Sequence, residues 1–140
     1  MIYGGYEMAP IDEKVGSSQE RSALVVESDE DSSYTICSYL KDLGYSVTAV
    51  ASGVAAVIAA RSSPPVVIFL AMQLTDVTGA ELLTWLRSNP TLVSVPIIAL
   101  HSFGEDAPDL KAAGFNARLW KPTSAAKIAE ALQKAGEGVK

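Results

Sequence analysis

What the chain has little of narrows its identity first. Only one of its 140 residues is a cysteine, Cys37. No internal disulfide can form, and the composition fits a reducing cytoplasm. Basic residues are scattered rather than clustered, and the formal net charge is −5. That argues against nucleic acid or an anionic membrane as a partner, since both need a cationic patch. The longest apolar run falls far short of the ~20 residues that span a bilayer. The amino terminus lacks the basic-then-apolar order of a secretory signal. There is no glycine-rich phosphate loop, nucleophile elbow or paired metal motif. Repeats and low-complexity segments are absent too.

What remains is apolar and compactly organised. Hydrophobic residues make up 49% of the chain and charged ones 19%, the balance of a globular protein rather than a disordered one. The length allows one domain with one core. Pro65 to Gly79, PVVIFLAMQLTDVTG, is the organising stretch. Val66 to Leu70 is β-branched and apolar without alternation, as in a strand buried on both faces of a parallel sheet. In such sheets the ligand crevice lies off the carboxyl ends of the strands. Ala71, which leaves this strand, is therefore placed where chemistry is expected, and its methyl group can neither attack, ionise nor bind a metal.

The rest of the chain alternates around that strand. Met1 to Arg21 is broken by Gly4-Gly5, Pro10 and Gly16 and reads as a tail with Tyr3, Tyr6 and Met8 able to dock somewhere. The domain is expected over 22–136, with a frayed 137–140. Ala23 to Val26 is a strand; Ser28 to Asp31 offers helix N-caps. Ile36, Leu40 and Leu43 then share a helical face, closed by Gly44. Cys37 beside that face reads as a small core residue. A second strand, Tyr45–Val50, leads to a helix capped by Ser52 with Val54, Val57 and Ile58 inward. The helix after Gly79 buries Leu82, Leu83 and Leu86, with Trp85 at its edge. A fourth strand, Pro96–Leu100, precedes a short helix from Asp106 to Gly114 with Leu110 and Ala113 inward. Arg118–Trp120 is the last strand, and Ser124 caps a final helix facing inward through Ile128, Leu132 and Ala135. This βαβαβαβαβα order implies a parallel sheet with helices on both faces and right-handed crossovers.

LVVESDED after strand one, LGYSVTAVASGVAAV, TGAELLTWLRSNP, VPIIAL, KAAGFNA and Lys121-Pro122, taken in order, resemble the receiver domain of bacterial two-component response regulators from about Ala23 to Ala135. The resemblance implies a flavodoxin-like (βα)5 sheet in order 2-1-3-4-5, the order for which a receiver is a standing example. It also implies a cis Lys121–Pro122 bond, a tertiary amide in which cis costs little.

An active receiver carries an acceptor aspartate at the end of strand three, two acids after strand one that help hold Mg²⁺, Thr or Ser ending strand four, and Lys before Pro at strand five. Here these positions are Ala71, Glu27 and Ser28, His101, and Lys121. Arg118 stands where a switch aromatic is expected, Trp120 precedes the lysine, and Thr75 lies where a loop proline usually follows strand three. The expectation is a degenerate phosphorylation pocket comprising Glu27, Ser28, Asp29, Ala71, His101 and Lys121, with no catalytic residue, no metal and no cofactor, because phosphoryl transfer loses both nucleophile and electrophilic stabiliser.

Other readings of these residues stay open. Lys121 and Glu27 can form a partly buried ion pair. His101 can be a pH sensor, or a metal ligand with Glu27 and Asp29; the plainer reading is a partly exposed strand-end histidine filling the vacated pocket. Asp29 or Asp76 can serve as a displaced acceptor, although in-line geometry tolerates little displacement. A small ligand-binding or catalytic domain using Glu27, His101 and Lys121 is a further alternative. The favoured function is a cytoplasmic signalling module, not an enzyme, that binds another signalling protein without aspartyl phosphate. The resemblance places its partner surface on helix four, strand five and helix five, where Phe103, Lys111, Arg118 and Trp120 are the candidates, since Trp and Arg are common hot-spot residues. The protein is expected to be a monomer or a weak homodimer. Any output is expected in another chain, with this one a stand-alone adaptor or a fragment of something longer.

Overall fold

A computed structural model describes residues 21–102 and 113–136. The tail up to residue 20, Phe103, most of the expected fourth helix with Lys111, and the last four residues lie outside them. Within them the order is β1 (Arg21–Val26), α1 (Glu30–Asp42), β2 (Tyr45–Val50), α2 (Gly53–Ser62), β3 (Val67–Ala71), α3 (Gly79–Ser88), β4 (Ile97–Ser102), β5 (Ala117–Lys121) and α4 (Ala125–Lys134). The last helix among the described residues is α4. All strands pair in parallel, in the order β2-β1-β3-β4-β5, the doubly wound arrangement expected.

The middle strand behaves as its composition requires. Every residue of β3 is buried. Val67, Phe69 and Ala71 point into a core shared with Ile36 and Leu40 of α1 and Ile128 and Leu132 of α4. Ile68 and Leu70 point the other way, against Ala56 and Ala60 of α2 and Leu82, Leu83 and Leu86 of α3. The period-2 alternation of a strand delivers one core to each face.

Local signals set most of the ends. Asp29, Ser52, Thr78 and Ser124 are the N-caps. Thr78 and Glu81 complete a reciprocal capping box at α3, which satisfies two otherwise orphaned amides. Gly44 takes φ +98° just past α1, the left-handed geometry glycine adopts without a Cβ penalty. The Lys121–Pro122 bond is cis.

Four expectations about side-chain direction need correction. Leu43 is 41% exposed, because α1 ends at Asp42 and Leu43 is its C-cap, off the inward face. Ala113 is exposed rather than inward. The phase of α2 is rotated: Gly53, Ala56 and Ala60 are buried and Val57 is half-buried against the core as expected, while Val54 and Ile58 are 63% and 61% exposed. At the start of α2 the loop after β3 leaves no room for a side chain on the buried face. A Cβ on Gly53 would sit 2.4 Å from Val77 Cγ2. The fourth correction, at His101, belongs to the site.

Candidate functional site

The carboxyl ends of β1, β3, β4 and β5 bring Glu27, Ala71, His101 and Lys121 to one end of the sheet. Glu27 follows β1, its amide donating to Val50 O at 3.0 Å. It is 4% exposed. Lys121 Nζ donates to Glu27 Oε1 at 2.5 Å, and the Asp29 amide donates to Oε2 at 3.0 Å. Both carboxylate oxygens are thereby engaged by the protein itself. The ion pair anticipated from the sequence is present and nearly fully buried on the glutamate side.

Ala71 is 1% exposed. It is packed from the far side by the start of α3: a Cβ on Gly79 would fall 2.5 Å from Ala71 O and 2.8 Å from Met72 Cα. The Gly79 amide donates to Met72 O at 2.9 Å, so the loop of seven residues folds back tightly onto the strand end.

Asp29 and Asp76 are both committed to helix termini. Asp29 caps α1, its Oδ2 accepting from the Ser32 amide at 2.9 Å. Hydrogen bonds from Ser32 hold its carboxyl below the usual aspartate range, with a smaller contribution from Lys121. Asp76 reaches from the loop after β3 to α2, where Gly53 and Val54 amides donate to Oδ1 and Oδ2 at 2.8 and 3.0 Å. Those two donors hold its carboxyl low as well. Sequence inspection offered Asp76 only as an acceptor candidate, since a cap that acts across 22 residues leaves no local pattern.

His101 is fully buried rather than partly exposed. It lies inside β4, which continues to Ser102, and is paired in register with Trp120 on β5. The two rings are 4.9 Å apart with planes at 34°, so the indole roofs the imidazole. His101 is thus set into the sheet under Trp120, away from a cluster with Glu27 and Asp29. Among the described residues no three His, Cys, Asp or Glu side chains gather as a metal would need. Ser28 is half-buried.

This donor set does not suit Mg²⁺. The ion needs oxygen ligands in a near-octahedral shell. Here the strand-three position is a methyl group, the first acid is bridged by lysine, and the second position is a hydroxyl.

Arg118 and Trp120 share one side of β5, with the guanidinium 6.0 Å over the indole ring. Trp120 is 39% exposed. A groove of about 130 Å³ runs between this strand and α4, bordered by Arg118, Trp120, Lys127, Glu130 and Lys134. Phe103 and Lys111, the other partner candidates, fall outside the described residues. A second cleft, of about 180 Å³, lies between the first turns of α1 and the turn after β5, where Ser32, Thr35, Lys121 and Pro122 meet.

A parallel sheet in the order 2-1-3-4-5 places the protein in the flavodoxin-like class, to which the receiver modules of two-component signalling belong. Residues 23–133 match the response regulator receiver domain family, and the chain belongs to it. Among curated relatives it is similar to the polar-differentiation response regulator DivK of Brucella ovis, 28% identical over 81% of this chain and 94% of that protein. Among solved structures it resembles the CheY-like receiver domain from Methylobacillus flagellatus, with TM-score 0.75 and 26% identity over 84% of this chain and 99% of that one. It also resembles the receiver domain of a sensor histidine kinase from Pseudomonas aeruginosa, with TM-score 0.75 and 29% identity over 84% and 99%. That structure holds a magnesium ion in its active-site cleft. No helix among the described residues is long and apolar enough to cross a membrane.

Proposed function

We propose that this receiver domain signals without an aspartyl phosphate and acts by binding another signalling protein through the surface formed by β5, α4 and the stretch that precedes β5. The observation that carries the reading is the end of β3. A buried methyl group stands at Ala71, and Lys121 is bonded directly to Glu27. The lysine that would otherwise contact a phosphoryl group already has an anionic partner inside the protein. Phosphoryl transfer depends on a positioned nucleophile and charge stabilisation, and this site supplies neither.

The main competing reading is a displaced acceptor. Against it, Asp29 and Asp76 both spend their carboxylates on backbone amides. For Asp76 the pair of donors belongs to α2. As for the partner surface, the supporting features are the exposed Trp120, its stacked Arg118 and the basic residues Lys127 and Lys134 beside them. Glu130 lies on the same groove and pairs with Lys134 at 3.5 Å, so three cations face one acid, and an aromatic anchor with that net cationic rim is suited to a partner carrying an acidic segment.

The test is incubation with acetyl phosphate or phosphoramidate and Mg²⁺, read by intact mass. The unmodified mass is expected throughout. A stoichiometric phosphoryl adduct that disappears in Asp29→Asn or Asp76→Asn would overturn the reading.

A further inference from the structure

Helix α2 presents the wrong face to water. A surface helix normally turns a polar stripe outward. Helix α1 does so with Glu30, Asp31 and Lys41, and α4 with Lys127, Glu130 and Lys134. In α2, GVAAVIAARS, one residue in ten is charged. Its small residues face the sheet, and Val54 and Ile58 stand out at 63% and 61% exposure. Val54, Ile58 and Arg61 fall at i, i+4 and i+7, a single outward stripe. Beside it runs an apolar groove of about 200 Å³ between α2 and α3, lined by Val54, Val57, Val77, Leu82 and Trp85 with Glu81 at its edge. A ridge and a groove therefore lie side by side on the same face.

We infer that this face is a two-fold interface with a second copy of the chain, the α2 helices running antiparallel. Two features select that occupant. The first is shape: a face carrying both a ridge and a groove can be its own partner, since a two-fold seats each ridge in the other copy's groove. The second is charge. The amino-terminal end of α2 is acidic, with Asp76 bonded to its first amides and Glu81 close by, while the carboxyl-terminal end carries Arg61. An antiparallel pair places each Arg61 beside the other copy's acidic end, twice over. A parallel pair would oppose like charges. With α2 only about 15 Å long, the contact belongs to the small interfaces, below about 1,200 Å², so the dimer is weak and forms at high concentration. It leaves β5 and α4 free.

Sedimentation equilibrium on the full chain, from low micromolar to millimolar concentration, tests this. The mass is expected to rise from one chain toward two. Ile58→Glu, which sets like charges near the axis, and Val54→Asn should each weaken association about tenfold or more. Both sites are exposed, so the thermal midpoint should stay close to that of the parent protein. Arg61→Glu should also weaken it, and Arg61→Lys should not. Ile58→Cys in a Cys37→Ser background should form an intermolecular disulfide under mild oxidation. A wild-type chain that stays monomeric at millimolar concentration overturns the inference, as does association indifferent to both Val54→Asn and Ile58→Glu. So does association that appears only when Tyr3, Tyr6 and Met8 are replaced by serine, which would give the face to the amino-terminal segment.

Discussion

Removing the cation beneath the sheet is the most informative perturbation of this molecule. In Lys121→Met the stem of the side chain stays and the ammonium goes. The Glu27 carboxylate is then left 2% exposed at its side chain, still accepting from the Asp29 amide. Breaking a buried pair from one side typically costs 3–5 kcal/mol, because the surviving charge is stranded. Lys121 itself is 16% exposed and one hydrogen bond to Glu27 persists, which puts the expected loss at about 3 kcal/mol. For a domain of this size that is a fall in melting temperature of roughly 10 °C. Glu27→Gln should cost less, about 1–2 kcal/mol, since the stranded lysine can bend its head toward water. The double variant Glu27→Gln/Lys121→Met should be more stable than the sum of the single losses predicts, by about 1–3 kcal/mol. Urea denaturation followed by far-UV circular dichroism measures all three. A Lys121→Met cost below about 0.5 kcal/mol, or strict additivity, would mean the pair behaves as a solvated surface contact and would refute the reasoning.

Two further substitutions probe the loop after β3. Gly79→Ala should destabilise by about 1–3 kcal/mol, because the new Cβ meets backbone at 2.5 and 2.8 Å and no flexible side chain can yield; thermal melts read it, and a neutral result would show that the α3 start is loosely seated. Asp76→Asn should weaken the fold at neutral pH and flatten the acid limb of its stability. The folded carboxyl is held below its ordinary value, so the stability it gives is complete above the unfolded value, about pH 4, and fades as pH falls through the folded one. The gap between wild type and variant should therefore close on acidification, and a gap that widens would contradict the cap.

Much of this architecture is legible in the sequence because the signals are local. Val66–Leu70 reads as a central strand from composition alone. Ser52, Ser124 and Gly44 mark helix ends by chemistry that acts within one turn. Even the Glu27–Lys121 pair is foreseeable once both residues are placed at strand ends. What escapes is set by distance. Val54 and Ile58 look inward because large apolar residues usually pack, whereas the buried face of α2 is made of Gly53, Ala56 and Ala60, and at Gly53 the loop after β3 leaves no room for a Cβ. His101 looks like a residue leaving the strand until β4 proves to run two residues further, to Ser102, and Trp120 closes over it.

Arg87 gives no warning at all in the sequence. Its guanidinium donates to the carbonyls of Gly114, Leu92, Val93 and Val95 and to Asn116 Oδ1, tying the loop before β4 to the turn before β5. The same Asn116 oxygen accepts from the Ile97 amide. Those partners are assembled only by the tertiary fold, and burial of the guanidinium lowers its proton affinity.

The central claim is that the end of β3 cannot hold a phosphoryl group or its metal. Two-dimensional ¹H–¹⁵N NMR of the chain, titrated with Mg²⁺ and then with beryllofluoride, tests it most directly. The account predicts no saturable shift of the amides at Glu27, Ser28, Asp29, Ala71, Met72 and Lys121 on adding either. Saturable, Mg²⁺-dependent shifts at those amides with beryllofluoride would contradict it.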